Sequence, residues 1–130
     1  MALSDLNLVA IFVAAAVTFL LGGLWYSPLL FAKAWMREAG LSEAQTRQAN
    51  MARTFGLSGL AALVMAFNLA AFLGPASTLA FGVFAGFDWV AMSLGVIYLF
   101  EQRSLKLWLI NSGYQVLSLT LMGAILGAWK

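Results

Sequence analysis

Asp88 is the one acid inside the long apolar stretches of this 130-residue chain, at the middle of 78–100 in the string Gly86-Phe87-Asp88-Trp89. A carboxyl group near the centre of a hydrocarbon layer is costly in either protonation state, more so when charged. By default it faces a protein interior or a cavity and marks a site. Two chemistries are open to it. Held by an amide, it is a structural hydrogen-bonding acid; reached by water, it can exchange protons or bind a cation. Candidate partners lie in the last apolar stretch, where Asn111, Gln115 and Ser118 recur at spacings of four and three on one helical face, with Tyr114 beside them. Asn68, in the second long stretch, reads as an amide for interhelical hydrogen bonding rather than as a ligand.

Other chemistries are excluded by composition. With no cysteine and no histidine, there can be no disulfide, thiolate metal site, His-ligated haem or Cys/His nucleophilic pair. The serines have no visible base, no two carboxylates share a depth, and no phosphate-binding loop occurs. No catalytic residue, metal site or cofactor is expected, and the chain is read as a non-enzyme. A net charge of +2 is too small to suggest nucleic-acid binding.

The elements that must position Asp88 are set by hydropathy. The chain is 63% hydrophobic and 9% charged, with a mean hydropathy of +0.92, against roughly 25% charged for a soluble domain. The excess lies in long blocks, the signature of membrane spans. The expected fold is an all-α integral membrane domain: four transmembrane helices over 5–26, 53–74, 77–100 and 105–129, plus a short interfacial helix over 28–39. Asp5 stands near the start of the first span, and Trp25 and Tyr26 close it as aromatic anchors. The N-terminus lacks the positive leader of a cleavable signal, so the first block is read as a retained helix.

Ser27-Pro28 reads as the start of the interfacial helix and Gly40 as its stop. Phe31 and Trp35, like Lys33 and Arg37, lie four apart, the pattern of a helix in the interface with rings in the lipid boundary and cations at headgroups; a connector packed on the bundle is the compatible, less favoured reading. Ser42 and Gln45 have the spacing of a capping box, which predicts one helix from 43 to 73. Small residues at Ala14, Thr18 and Gly22, at Ser58, Ala62, Ala66, Ala70 and Gly74, and in Gly82-xxx-Gly86 and Gly123-xxx-Gly127 predict close helix packing. A tight turn is expected at 74–77.

Six basic side chains, Lys33, Arg37, Arg47, Arg53, Arg103 and Lys106, fall in the first and third connectors, against Lys130 on the other side. The positive-inside rule then places connectors 27–53 and 101–105 in the cytoplasm and both termini outside, with the protein integral to the cell (inner) membrane. Asp88 lies about 18 Å from the cytoplasmic end of its span and Gln115 about 15 Å from the same side, with Tyr114 nearly level. A hydrogen bond from Gln115 or Tyr114 to Asp88 is therefore expected. No Lys or Arg lies at matching depth.

The stretch 22–36, GGLWYSPLLFAKAWM, with Gly86-Phe87-Asp88-Trp89 and the tail Asn111-Ser112-Gly113-Tyr114-Gln115, Met122-Gly123 and Trp129, resembles a family of bacterial and fungal membrane proteins catalogued as domain of unknown function 1761. The resemblance covers essentially the whole chain and is most specific at Trp25-Tyr26-Ser27-Pro28. It implies a small four-helix integral membrane protein and no particular activity.

On this reading the protein is a non-enzymatic, homo-oligomeric binding or accessory protein, partnered by the bilayer and by a lipid, small-molecule or protein ligand. The glycine motifs are the expected surfaces for self-association. The alternative is a homo-oligomeric small-molecule or proton-linked transporter that uses Asp88.

Overall fold

The computed structural model describes residues 6–48, 50–73 and 79–129, all of them in helices or short turns. Helix α1, Leu8–Trp25, begins where the Asn7 side chain accepts the Ala10 N–H at 3.1 Å, satisfying one of the donors that a first turn leaves free. There follow α2 (Ala32–Ala39), α3 (Glu43–Gln48), α4 (Met51–Leu73), α5 (Leu79–Phe84), a π-helical segment (Ala85–Ala91), α6 (Met92–Phe100) and α7 (Leu105–Ala128). The α5, π and α6 pieces run on as one span. Four helices are long and apolar enough to cross a membrane: Leu8–Trp25, Met51–Ala71, Ala80–Phe100 and Leu105–Ala128. Asp5, Gly74, the turn at 74–77 and Lys130 lie outside the described residues.

The polar punctuation does much of the shaping. Ser42 and Gln45 form the reciprocal capping box, the Gln45 N–H donating to Ser42 Oγ at 3.0 Å and the Ser42 N–H to Gln45 Oε1 at 2.8 Å. Gly40 ends α2 in the left-handed region, at φ +73°. Ser104 starts α7 by accepting the Leu107 N–H at 3.1 Å.

Two expected boundaries move. The interfacial helix starts at Ala32 instead of 28, because the Phe31 and Ala32 N–H groups donate back to the Trp25 and Ser27 carbonyls, holding 26–31 as turns. The single helix expected over 43–73 is two helices. Asn50 accepts the Arg53 N–H at 3.0 Å and so caps a fresh helix, a competing local bond that asparagine offers readily.

Helix α7 is the centre of the bundle, packing against α1, α5, the π segment and α2, while α1 also packs on α4. The core is alanine-rich: Ala10, Ala14, Ala15, Ala62, Ala66, Ala70 and Ala85 close around Ile11, Leu119, Met122 and Leu126. Thr18 is buried and Gly22 lies against the Tyr114 ring, so the stripe on α1 is a packing seam. On α4 the seam is Ala62, Ala66 and Ala70, with Ser58 exposed.

The third and fourth spans approach backbone to backbone. A Cβ on Gly82 would overlap the Leu119 carbonyl, and one on Gly86 would sit 2.6 Å from Val116 Cα. Gly123 is buried and Gly127 half-buried. Gly82 and Gly86 are used inside one chain. The expectation that they form free self-association surfaces is corrected accordingly.

Candidate functional site

Aromatic and amide side chains converge at the end of the bundle that carries the 26–31 turns. Trp25, the last residue of α1, donates its indole N–H to the Ile110 carbonyl at 2.9 Å and lies against Gly113, where a Cβ would meet the ring at 3.1 Å. Tyr26 donates to Asn111 Oδ1 at 2.7 Å, and Asn111 Nδ2 donates to the Tyr98 hydroxyl at 2.6 Å. One amide therefore ties together the first, third and fourth spans. Tyr114 donates to the Thr18 carbonyl at 3.1 Å, and Trp108 to the Ala91 carbonyl at 2.8 Å.

The rings stack as well. Trp25 meets Phe31 at 4.7 Å between centroids, and Tyr26 meets Trp35 at 5.3 Å and Tyr114 at 5.5 Å, both edge-on. Burial, reinforced by the neighbouring Tyr114 and Tyr98, pushes the Tyr26 hydroxyl well above the ordinary phenol range and keeps it a donor. Of the expected interfacial anchors, Trp25, Tyr26, Phe31 and Trp35 are half-buried against the bundle, while Lys33 and Arg37 are exposed. The connector is thus packed on the helices through its rings.

Asp88 sits elsewhere. Its side chain is exposed, in the π-helical segment, and makes no hydrogen bond or ion pair among the described residues. The expected bonds from Gln115 and Tyr114 do not form. Tyr114 is committed to Thr18, and Gln115 lies on the side of α7 that meets Gly86, where its carbonyl is 3.3 Å from the position a Cβ would take. The reason is angular. Residues two apart point to nearly opposite sides of a helix, so a Gly86 pressed into α7 turns Asp88 outward. That geometry was available in the sequence, because the close-packing motif and the acid could not both face the fourth span. Asn68 is also apart, exposed on α4 with its amide donating to its own Val64 carbonyl at 2.9 Å.

Beside Asp88 runs a groove of about 320 Å³, with Phe87 and Ala91 on one wall and Trp108, Ser112, Val116 and Leu117 on the other. Ser112 is 4% exposed, and its hydroxyl has no hydrogen-bond partner. Reading the sequence singled out neither Ser112 nor Trp108 as part of a site. Trp108 carried a usable signal, since an indole in an apolar span needs an acceptor.

A family model described as "Protein of unknown function (DUF1761)" matches residues 9–127. The chain belongs to the DUF1761 family. No curated protein and no solved structure was found to match it. In this DUF1761 chain, the Trp25-Tyr26-Ser27-Pro28 string forms the hydrogen-bonded aromatic end of the bundle. Among the described residues, the bundle leaves Asp88 unsatisfied, and with it the buried Ser112 and Ser118 hydroxyls. Among the described residues no three acids come together as a metal centre would need.

Proposed function

We propose that this small four-span membrane protein is a non-enzymatic binding or accessory component that acts by association within the bilayer, through the face of the third span that bears Asp88. The observation carrying this reading is the exposed, unpaired carboxyl of Asp88 on a helix apolar enough to span a membrane. Lipid chains offer it no hydrogen bond, so a protein or ligand group must cover it for the charge or dipole to be tolerated. The π-helical turn around it adds weight, since such turns occur frequently at functional sites.

In the proposed orientation, connectors 27–53 and 101–105 face the cytoplasm of an inner membrane. The support is the concentration of basic side chains there. Single-particle mass measurement in native-lipid discs tests the reading, with assemblies larger than one chain expected. Asp88→Leu, which cannot hydrogen-bond, should release the partner, whereas Asp88→Asn should retain it. A wild-type chain free of any partner, with its Asp88 face open to lipid, overturns the proposal.

A second reading, transport, is favoured by the same acid on the same π turn. An assembly that closed around Asp88 would bring a proton-exchanging group into a sheltered path. Proteoliposomes under an imposed pH gradient separate the two readings: transport requires uptake that Asp88→Asn abolishes.

A further inference from the structure

We propose that the end of the bundle bearing α2 is a docking surface for anionic phospholipid headgroups, gripped by Lys33, Arg37, Arg53 and Lys106. It lies apart from the Asp88 face and holds whether or not that face has a partner.

Helix α1 sets the depth scale. Its 18 residues rise about 27 Å, close to the roughly 30 Å of a bilayer's apolar core. Both its ends are tied to α7: Asn7 donates to the Trp129 carbonyl at 3.0 Å, and the Trp25 indole to the Ile110 carbonyl at 2.9 Å. Helix α7 begins at Leu105, so it runs on past Ile110 for more than a turn. Lys106 then stands about 6 Å beyond the level of Trp25, within a headgroup layer of roughly 5–8 Å per leaflet. Helix α2 fills the ledge that the shorter α1 leaves, packing on α7 and bringing its Trp35 ring to 5.3 Å from Tyr26. Lys33 and Arg37 lie two residues to either side of Trp35. Residues two apart point to nearly opposite sides of a helix, so the ring that faces the bundle turns both cations away from it, and both are exposed. On α4, the contact between the Phe19 and Phe55 rings puts Arg53 about one turn inside the level of Trp25, where a long side chain still reaches the headgroups.

Charge decides the occupant. Arg47 pairs with Glu43 at 2.6 Å and Arg103 with Glu101 at 2.9 Å. Among the described residues, Lys33, Arg37, Arg53 and Lys106 have no ion pair, and Glu38 is the one unpaired acid at this end. A cluster with a net positive charge favours headgroups that are net negative over zwitterionic ones, whose own cation offsets the phosphate. Leu29, 82% exposed on the turn before α2, offers apolar contact to the same lipids.

The full-length chain is reconstituted in lipid discs holding equal phosphatidylcholine and phosphatidylglycerol with matched acyl chains. Lipids that stay with the protein on release are identified by mass spectrometry of the intact complex. Wild type is expected to keep phosphatidylglycerol in preference, and the preference should shrink as salt rises. Each of Lys33→Gln, Arg37→Gln, Arg53→Gln and Lys106→Gln should lower it by up to about 5-fold. Glu43→Gln and Arg47→Gln together, which remove an internal pair on α3, should leave it unchanged. All four cations are exposed, and circular dichroism checks the helix content of each variant. Equal retention of the two lipids by wild type overturns the proposal, as does a preference that survives the four changes combined. Displacement of phosphatidylglycerol by inorganic phosphate at constant ionic strength assigns the cations to a free anion and overturns the lipid as occupant. None of these outcomes bears on the association through Asp88, which the particle mass reads separately.

Discussion

Asn111 joins the first, third and fourth spans, accepting from Tyr26 and donating to Tyr98. Asn111→Leu should leave both phenols without a partner in a half-buried, low-dielectric setting. The expected cost is about 1–3 kcal/mol, read by unfolding in mixed micelles. Tyr114→Phe should cost less, about 0.5–1.5 kcal/mol, since it removes one donor from a Thr18 carbonyl that keeps its helical N–H partner. At this scale the sequence pointed to Asn111 and Tyr114 as polar residues and gave Asp88 neighbours that it does not have. Asn111 and Tyr114 form polar contacts between spans, whereas Gln115 and Ser118, expected to line a polar core on the same face as Asn111, show no side-chain hydrogen bond among the described residues. The partners of Asn111 and Tyr114 are Tyr26, Tyr98 and the backbone of α1, and spacing within one helix carries no information about the rotation of the next. Asp88 was misassigned because depth alone was used to pair it, whereas Gly86, two residues earlier, had already decided which way it points.

The helices pack through glycine and alanine, and the consequences differ sharply by position. Gly82→Ala places a methyl group against the Leu119 carbonyl and should lower stability by about 1–3 kcal/mol, or push α5 away from α7. Gly23→Ala meets nothing within 4 Å and should be neutral or stabilising by up to about 1 kcal/mol through helix propensity. Comparing the two in one unfolding assay separates close approach from helix propensity. Asn50→Ala should cost about 1 kcal/mol by removing the cap on α4 and should let α3 and α4 merge, detectable as added helix. Caps at Ser42 and Gly40 were legible because their chemistry is local. The break at Asn50 was missed because an asparagine inside a polar run reads equally well as a helix surface. The late start at Ala32 was missed because it depends on hydrogen bonds back to Trp25 and Ser27 across a reversal of the chain.

For the molecule as a whole, the count and approximate limits of the four spans followed from apolar length, which the thickness of a bilayer dictates. Their mutual rotations did not follow, because helices that are apolar all round show no preferred side. The small-residue seams compensated in part. Gly82 and Gly86 correctly announced a close approach, although within the chain rather than between chains. The proposed orientation is checked with single cysteines at Gln48 and Gln102, which should react with an impermeant thiol reagent only from the cytoplasmic face, and at Trp129, which should react only from outside. Reaction of all three from one face contradicts it.

The central place of α7 has a further consequence, for biosynthesis. The bonds from Trp25, Tyr26, Tyr98, Trp108 and Tyr114 that cross between spans all begin or end on α7, and Asn7 reaches the Trp129 carbonyl at its far end. Spans enter the bilayer in the order of translation, so the first three must wait in lipid with their polar groups unmatched until the fourth is released. A ribosome stalled before residue 105 should hold three loosely associated helices. Protection of the nascent chain from protease should then rise in a single step once α7 inserts.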